Sequence, residues 1–523
     1  MPVTQGSYWS ALWSGRKHTD KNMDISGCFH GKAEYIGGNR KMHHFTLKTG
    51  YKRQGEHNPV MTQRFGADPY ALVYGDRVYL YMTGDTFIRN ENGQITENVY
   101  SQIDTISVIS SEDLVNWTDH GTVYAAGSKG AARWSRNSWA PAAVCKEIDG
   151  KMKFFLYFAN GGDGIAVLEG DSPVGPFVDV LQKPLISRQT PTCGAVTWLF
   201  DPAVLVDDDG EAYIYFGGGI PDPGKAANPG TARVARLGRD MISIQGEPAV
   251  IADVPYLYED SGINKINGRY YYSYCSNFSV PEEKEAELGF GRGEIMVMTG
   301  DHPMGPFTLT GSVLKNPDFF FGLEGNNHHC MFRFHGRWYM SYHTRILEER
   351  MGVLQNYRCT GIDAVQIDEN GSIGKIQATR EGVPPIKAFD PYRTNKAVTM
   401  TAMGGIMTTQ YGECALRCGS GDMIVTGISD GCWIEVSNVD FGDRKARTLE
   451  VSVRGSKSGC VRVFLDSLSG EEMCLVELLP ASTDILTVCS AAVRKCPDGI
   501  HDLYFVFMGE GYEVYTWEFS AEG

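Results

Sequence analysis

VYGDRVYLYM, at residues 73–82, shows the local pattern that decides the fold of this chain. An apolar pair leads into a turn with a glycine, and an aromatic-rich run follows, which is typical of a β-hairpin. The pattern recurs four times, as IDGKMKFFLYF (148–158), VDDDGEAYIYF (206–216), INGRYYYSYC (266–275) and FHGRWYMSYH (334–343). The turn glycines are therefore 75, 60, 58 and 68 residues apart.

Repeats of this length suggest a radial architecture. Each unit has room for four strands, helical periodicity is nearly absent, and Gly and Pro punctuate the region every few residues. A second marker also repeats, as SPVGPF (172–177) and HPMGPF (302–307). We therefore expect residues 56–380 to form a five-bladed β-propeller that carries any catalytic site.

The texture of the sequence changes after the repeats. Two prolines in EGVPPIKAFDPY (381–392) indicate an extended connector, and we assign residues 381–394 to a linker. Residues 395–523 contain short alternating strands such as TLEVSVRG and YEVYTWEF, which predict a jelly-roll-like β-sandwich. Residues 1–55 fit neither pattern and form an N-terminal extension of unknown role. The expected fold class is thus all-β.

Bulk properties exclude several classes of protein. The formal charge of −15 disfavours nucleic-acid binding, and no apolar run approaches the roughly 20 residues that span a bilayer. The N-terminus lacks the pattern of a signal peptide, so a cytoplasmic, bacterial protein is the expectation. The 13 cysteines are odd in number and lack CxxC spacing, which favours free thiols in a reducing compartment.

Three acidic residues occupy similar places in their repeats. Asp201 and Glu259 each stand nine residues before their turn glycine, and Asp68 stands seven residues before its own. If these positions begin the innermost strands, the three carboxylates converge on the propeller axis. Trp139 and the segment 326–329 fall at comparable places in the other two repeats.

Each acid alone could be an ordinary turn or capping residue, whereas three acids at matched repeat positions indicate a shared functional pocket. Carboxylates that converge raise one another's pKa, so one stays protonated as an acid while another stays ionised as a base. Glycoside hydrolysis needs this pair. From the residues alone, the same pocket could equally hold a metal ion.

The motifs resemble those of glycoside hydrolase family 43. The resemblance rests, in order, on GADPYALVYGDRVYLYMTGD, SWAP, FDPAVLVDDDGEAYIYFG, YEDSGINKINGRYYYSYC and NNHHCMFRFHGRWYMSYH, over roughly residues 55–380. It implies a five-bladed propeller of inverting enzymes that act on arabinose and xylose polymers. It also implies roles: Asp68 is the general base that activates water, Glu259 is the general acid, and Asp201 tunes and orients the acid.

The resemblance implies further site residues and no cofactor for catalysis. His328 matches a histidine that faces a central ion, often calcium, through water, although a satisfied axial histidine without metal is the alternative. Arg345 matches an arginine that supports the pocket, with a surface salt bridge as the alternative. Trp139, Phe87 and Trp198 are candidate aromatic walls for a pentose, and a core role is the alternative for each.

The rear domain resembles a family 6 carbohydrate-binding module. GISDGCWIEVSNVDFG and HDLYFVFMGEGYEVYTWEF carry that resemblance. Lys396 and Val398 stand where the module's opening strand usually has two calcium-binding glutamates, so calcium is not expected there. We expect this sandwich to support the propeller, with no sugar bound.

The expected function is hydrolysis of terminal pentoses from hemicellulose. α-L-Arabinofuranosidase activity on arabinoxylan or xylan-derived oligosaccharides is the first hypothesis, and β-xylosidase activity on xylo-oligosaccharides is the alternative within the family. Two hypotheses of other classes are a non-catalytic carbohydrate-binding propeller and a metal-dependent hydrolase. The three acids do not distinguish arabinose from xylose.

Overall fold

The protein is described by a computed structural model that covers residues 32–33, 45–411 and 422–521. Most of the predicted extension 1–55 lies outside the described residues. A short antiparallel pair, β1 (Lys32–Ala33) and β2 (Phe45–Thr46), precedes the first repeat.

Five antiparallel sheets follow in chain order, and each corresponds to one predicted repeat. Blade I contains β3 (Ala67–Tyr74), β4 (Arg77–Thr83), β5 (Thr105–Ser111) and β6 (Trp117–Tyr124). Blade II contains β7 (Trp139–Ile148), β8 (Lys151–Ala159), β9 (Gly164–Gly170), β10 (Phe177–Val178) and β11 (Ile186–Ser187). Blade III contains β12 (Ala203–Val206), β13 (Ala212–Phe216), β14 (Arg233–Leu237) and β15 (Ile244–Val250). Blade IV contains β16 (Leu257–Ile266), β17 (Arg269–Ser276), β18 (Ile295–Gly300) and β19 (Thr308–Leu314). Blade V contains β20 (His329–Phe334), β21 (Arg337–Thr344) and β22 (Cys359–Val365).

Helical segments are short and lie in the connections between strands. The α-helices are α1 (Glu285–Leu288), α2 (Pro317–Phe321) and α3 (Ile346–Met351). Single 3₁₀ turns occur at Tyr100–Gln102, Pro223–Lys225 and Glu282–Lys284. Across the described ranges, no helix combines the length and the apolar character needed to cross a membrane.

Apolar layers between neighbouring blades explain why the strands are rich in aromatic residues on both faces. In β17, Tyr270, Tyr272 and Tyr274 pack against blade III. Tyr271 and Cys275, on the opposite face of the same strand, pack against blade V. A strand buried on both sides reads as a continuous apolar run, which is what the repeats show.

The ring closes between blades V and I. Val78 of blade I and Phe332 of blade V share one buried apolar cluster. The chain just before blade I also runs along β22, where Val60 N–H donates to the Thr360 carbonyl at 2.9 Å. The Asn58 side chain accepts from Ile362 N–H at 2.9 Å and donates to the Ile362 carbonyl at 3.2 Å. These hydrogen bonds attach the segment before blade I to the outer strand of the three-stranded blade V and so help to close the ring.

The rear domain is a β-sandwich. Its strands are β23 (Asn395–Lys396), β24 (Thr399–Met400), β25 (Ala402–Gly404), β26 (Met407–Gln410), β27 (Met423–Thr426), β28 (Cys432–Asp440), β29 (Ala446–Gly455), β30 (Gly459–Leu465), β31 (Glu472–Leu478), β32 (Thr487–Ala492), β33 (Ile500–Met508) and β34 (Tyr512–Ala521). One sheet has the order β26-β27-β34-β29-β32, with β23 beside β34, and the other has the order β25-β28-β33-β30-β31. Trp517 and Val398 are buried in the core between them, while the Lys396 ammonium pairs with Asp422.

The start of the rear domain adds one strand to the sheet of blade I. Strand β24 pairs with β6 of blade I, with Thr399 opposite Thr118. The segment 381–394, assigned above to a linker, contacts both domains: Phe389 is buried in the sandwich core, and Ile386 N–H donates to the Asp113 carbonyl. We call the contact between blade I and the sandwich the seam.

The predicted fold class is confirmed: the chain is all-β, with a five-bladed propeller followed by a β-sandwich. The ten cysteines in the described residues all have free thiols, and seven of them are buried.

Candidate active site

The innermost strands share an unusual backbone at the axis. Asp68, Ala140, Asp201 and Asp260 have φ of 48°, 41°, 49° and 70°, a left-handed conformation that aspartate tolerates better than most residues. In β3, β7 and β16 the pairing register shifts by one residue at this point. Such β-bulges re-aim side chains, and here they turn the strand starts towards the axis.

This bulge corrects the predicted equivalence of the three acids. Glu259 pairs with Cys275 just before the register shift, as Ala67 pairs with Thr83 in blade I. The structural counterpart of Asp68 and Asp201 in blade IV is therefore Asp260. Counting back from the turn glycines misses this offset because the hairpins differ in length.

Asp68 is held as an anion. Its Oδ1 lies 3.1 Å from Arg358 Nη1 and 3.0 Å from His343 Nδ1. Burial alone raises the pKa of Asp68, but the charge of Arg358 and the contacts with His343 and His328 outweigh it and bring the pKa well below its usual range. A buried carboxylate that stays ionised can accept a proton from water.

Arg358 is the arginine of the pocket. Asp85 binds it in a forked pair, with Nη2 donating to Oδ1 at 2.9 Å and Nε donating to Oδ2 at 3.0 Å. The guanidinium carbon also lies 4.5 Å from the centre of the Tyr100 ring. Both contacts fix the side chain, so that its remaining nitrogen faces Asp68.

Arg345, the arginine that the sequence analysis named, contacts Glu348 and the Glu324 carbonyl. Its Nε donates to Glu348 Oε1 at 2.5 Å and its Nη1 donates to the Glu324 carbonyl at 2.9 Å. It therefore flanks the start of α3 and holds the loop at Glu324, whereas the arginine in contact with Asp68 is Arg358.

Glu259 has the environment of a proton donor. The residue is 5% exposed, and among the described residues its Oε1 atom has no hydrogen-bond partner. Burial raises the pKa of Glu259, and the nearby charges of Asp201, Asp68 and Asp260 raise it further, against a hydrogen bond from Asn326. A buried carboxyl with an unpaired oxygen and a raised pKa favours the protonated form, which can act as a proton donor.

Asp201 is near enough to the other two acids to interact with their charges. Its Oδ2 accepts from Asp260 N–H at 2.9 Å and lies 3.9 Å from His328 Nδ1. Burial and the charge of Asp68 raise the pKa of Asp201. Asp68 is thus the acid of this trio that the surroundings keep ionised, while Glu259 and Asp201 are pushed towards the protonated form.

His328 lies at the axis but does not fit direct coordination of calcium. Its Nε2 lies 3.1 Å from Asp260 Oδ1, and its Nδ1 lies 3.6 Å from Asp68 Oδ1. Calcium takes six to eight oxygen ligands. Within the described part of the chain, no three His, Cys, Asp or Glu side chains form a metal-binding group.

The predicted aromatic walls differ in their surroundings. Half-buried Trp139 occupies the position in blade II that Glu259 occupies in blade IV, and its Nε1 donates to the Tyr100 carbonyl at 2.8 Å. The Trp198 ring lies 5.2 Å from Tyr258, the neighbour of Glu259. Phe87 instead packs in an aromatic cluster, with its ring 4.8 Å from Tyr357.

Sequence reasoning missed five residues around the acids: Asp85, Tyr100, Asp260, His343 and Arg358. Two of them had a signal. Asp260 is adjacent to Glu259, and His343 ends the fifth repeat.

Comparison with known proteins agrees with this geometry. The profile of "Glycosyl hydrolases family 43" matches residues 56–373, and that of "Carbohydrate binding module (family 6)" matches residues 396–521. An arabinoxylan arabinofuranohydrolase of Paenibacillus polymyxa is 44% identical over 90% of this chain and 75% of its own length. One of Bacillus subtilis is 41% identical over 95% of this chain and 97% of its own length.

A solved structure shows the same architecture. It is a family 43 arabinoxylan arabinofuranohydrolase from Bacillus subtilis in complex with cellotetraose. The TM-score is 0.85 at 41% identity, over 90% of this chain and 99% of that chain. The family profile covers more than half of this chain, and the two relatives align over 90% and 95% of it. The chain therefore belongs to glycoside hydrolase family 43.

Proposed function

We propose that this glycoside hydrolase removes terminal α-L-arabinofuranosyl residues from arabinoxylan or its oligosaccharides, with inversion. The observation that carries the proposal is the contrast between two buried acids. Arg358 lies 3.1 Å from Asp68 and favours its ionised form, whereas burial and neighbouring carboxylates raise the pKa of Glu259 and favour its protonated form. An inverting glycosidase needs such a base and such an acid on opposite sides of one bond.

The proposed reaction uses the acids in one concerted step. Asp68 accepts a proton from a water molecule, whose oxygen attacks the anomeric carbon. The bond from that carbon to the glycosidic oxygen breaks, and Glu259 gives its proton to the departing oxygen. The products are free arabinose with inverted configuration and a shortened acceptor chain, and both acids exchange protons with solvent before the next cycle.

Support for arabinose comes from the relatives. Two relatives that align over 90% and 95% of this chain are both arabinoxylan arabinofuranohydrolases. Half-buried Trp139 and Trp198 beside the acids are suited to stacking on a pentose ring. Together they favour the arabinofuranosidase hypothesis over the β-xylosidase alternative.

Paired chromogenic substrates test this proposal. We expect p-nitrophenyl α-L-arabinofuranoside to be cleaved much faster than p-nitrophenyl β-D-xyloside, and Asp68→Ala to abolish both rates. Release of arabinose from wheat arabinoxylan, without xylose, is the matching polymer experiment. A dominant xyloside rate would refute the choice of pentose, and equal rates for wild type and variant would refute the role of Asp68.

The axial calcium and the location in the cell stay predictions. If calcium binds near His328 through water alone, chelation with EDTA should lower the melting temperature, while catalysis at 25 °C persists. A loss of activity that only a divalent cation restores would favour the metal-dependent alternative. Cell fractionation of the source organism against a cytosolic marker tests the expected cytoplasmic location.

A further inference from the structure

Asp260 connects the acids of the pocket with two axial histidines. It is fully buried, and its backbone N–H donates to Asp201 Oδ2 at 2.9 Å. Its Oδ1 accepts from His329 N–H at 3.2 Å and lies 3.1 Å from His328 Nε2. Its Oδ2 contacts His329 Nδ1. One residue thus contacts a proposed catalytic acid through its main chain and both histidines through its side chain.

The network continues away from the pocket. His329 Nε2 lies 2.8 Å from Ser273 Oγ. Because His329 Nδ1–H donates a hydrogen bond to the Asp260 carboxylate, the lone pair of Nε2 accepts from the Ser273 hydroxyl, which fixes the tautomer of neutral His329. Every side-chain nitrogen and oxygen of Asp260, His329 and Ser273 then has a partner.

The same three residue types in this order form the triad of acyl-transfer enzymes, but here no substrate can reach the serine. Ser273 is 5% exposed. A methyl group placed on Gly262 would lie 2.3 Å from Ser273 Oγ and 3.1 Å from His329 Nε2, so the backbone of β16 covers the network closely. The arrangement is therefore suited to holding groups in place, not to nucleophilic attack.

Holding in place matters because the neighbouring acids do the chemistry. The left-handed backbone at Asp260 aims its N–H at Asp201, whose carboxyl lies beside Glu259. His328, held through Nε2, faces Asp68 and Asp201 with its other nitrogen. A shift of about 1 Å in such a constellation costs on the order of 10²-fold in rate.

We propose that Asp260 is a positioning residue, whose main chain orients Asp201 and whose carboxylate locks the two axial histidines behind the reacting acids. The inference rests on the proposed function of Asp68, Glu259 and Asp201. It assigns a role to a carboxylate that neither accepts nor donates the reacting protons.

Asp260→Asn and Asp260→Gly test the carboxylate separately from the backbone. Both replacements tolerate a left-handed φ, so the N–H directed at Asp201 is kept. Loss of the carboxylate leaves His329 Nδ1–H without its anionic acceptor. We expect kcat for the arabinoside to fall on the order of 10²-fold in both variants, with KM within about twofold of the wild-type value.

The pH profile provides a readout that a merely structural role would not move. The charge of Asp260 acts with those of Asp201 and Asp68 to raise the pKa of Glu259. Without it the pKa of Glu259 falls, the acid loses its proton at lower pH, and the alkaline limb of kcat/KM moves to lower pH. Asp113→Asn, at a buried aspartate bound to Asn116 in the seam, is the matched control and should leave kcat, KM and this limb unchanged.

A second pair of variants covers the case in which Asp260 variants do not fold. His329→Asn keeps an N–H donor at the position of Nδ1, whereas His329→Leu removes it. We expect the asparagine variant to retain at least tenfold more kcat than the leucine variant. Equal values for the two would overturn the proposal.

The outcomes separate this inference from the proposed function. Suppose that the wild type is active and that Asp260→Asn folds with an unchanged kcat and an unchanged alkaline limb of kcat/KM. That result would refute the role of Asp260 and leave the proposed function intact. A wild type inactive on both pentosides would refute the proposed function. In that case ¹⁵N NMR of the histidine rings still decides the inference: we expect the His329 tautomer to change in Asp260→Asn, and an unchanged tautomer would overturn the positioning role.

Discussion

The pocket and the seam both bury aspartate and glutamate side chains, but they satisfy them differently. In the seam, Asp119 accepts from both terminal nitrogens of Arg64 at 2.6 and 2.7 Å, from Gly121 N–H at 2.7 Å and from Thr408 Oγ1 at 2.6 Å. In the pocket, Glu259 Oε1 has no such partner among the described residues. In the seam, hydrogen bonds and an ion pair therefore satisfy the buried Asp119, whereas the pocket leaves one buried carboxyl oxygen of Glu259 unpaired.

The pKa values express the same contrast. Burial raises the pKa of Asp119, but Arg64 and the surrounding donors outweigh it and bring the pKa to about 2. Burial also acts on Glu259, and there the neighbouring carboxylates add to its effect. A compensating cation thus keeps a buried carboxylate ionised, as at Asp119 and Asp68, whereas its absence favours the protonated form, as at Glu259.

Of the variants considered for the pocket and the seam, Glu259→Gln is expected to lower kcat the most. The amide is isosteric but cannot donate the proton, so kcat on arabinoxylan should fall about 10³-fold. The loss should be smaller with p-nitrophenyl arabinofuranoside, because p-nitrophenolate departs without protonation. Steady-state rates on both substrates measure the difference, and an equal loss on both would contradict the assignment of the acid.

Replacing Arg358, the cation beside Asp68, should shift the acidic limb of the pH profile of kcat/KM. In Arg358→Met the pKa of Asp68 rises, because the charge that lowers it is gone, so the base becomes protonated at higher pH. The acidic limb of kcat/KM should move upward by at least one pH unit, and Arg358→Lys should move it less. A limb that stays in place in both variants would show that Arg358 does not control the base.

The seam should respond in stability and not in rate. Asp119→Asn leaves Arg64 without its counter-charge, and breaking one side of such a pair costs about 3 kcal/mol of unfolding free energy. The pKa of Asp119 is depressed, so its contribution is present above about pH 4 and is lost as the pH falls towards 2. Urea unfolding of variant and wild type should therefore converge over that range, while kcat at 25 °C stays the same. A variant with reduced kcat and unchanged stability would break the comparison.

Sequence patterns predicted the blades well because burial on both strand faces leaves a direct trace. Successive tyrosines of β17 are buried alternately in the layer between blades III and IV and in the layer between blades IV and V. In the sequence they therefore form one continuous aromatic run. The β-bulge has no such sequence signature, which explains why the sequence analysis aligned Glu259, and not Asp260, with Asp68. A bulge depends on main-chain geometry, and spacing to a turn glycine does not record it.

Arg358 shows a second limit. Its contact with Asp68 joins residues 290 positions apart across the closure of the ring. Arg345 lies directly after the fifth repeat and was the visible candidate, whereas Arg358 follows α3 and has no repeat pattern around it. Only the closed propeller brings the later arginine to the base.

The stereochemistry of the first-formed sugar tests the central claim most directly. Proton NMR should follow hydrolysis of an α-L-arabinofuranoside within the first minutes, before mutarotation mixes the anomers. If Asp68 activates water while Glu259 protonates the leaving oxygen, the first signal belongs to the β-anomer of arabinofuranose. An initial α-anomer would mean retention through a covalent intermediate and would contradict the assignment of Asp68 as a base acting through water.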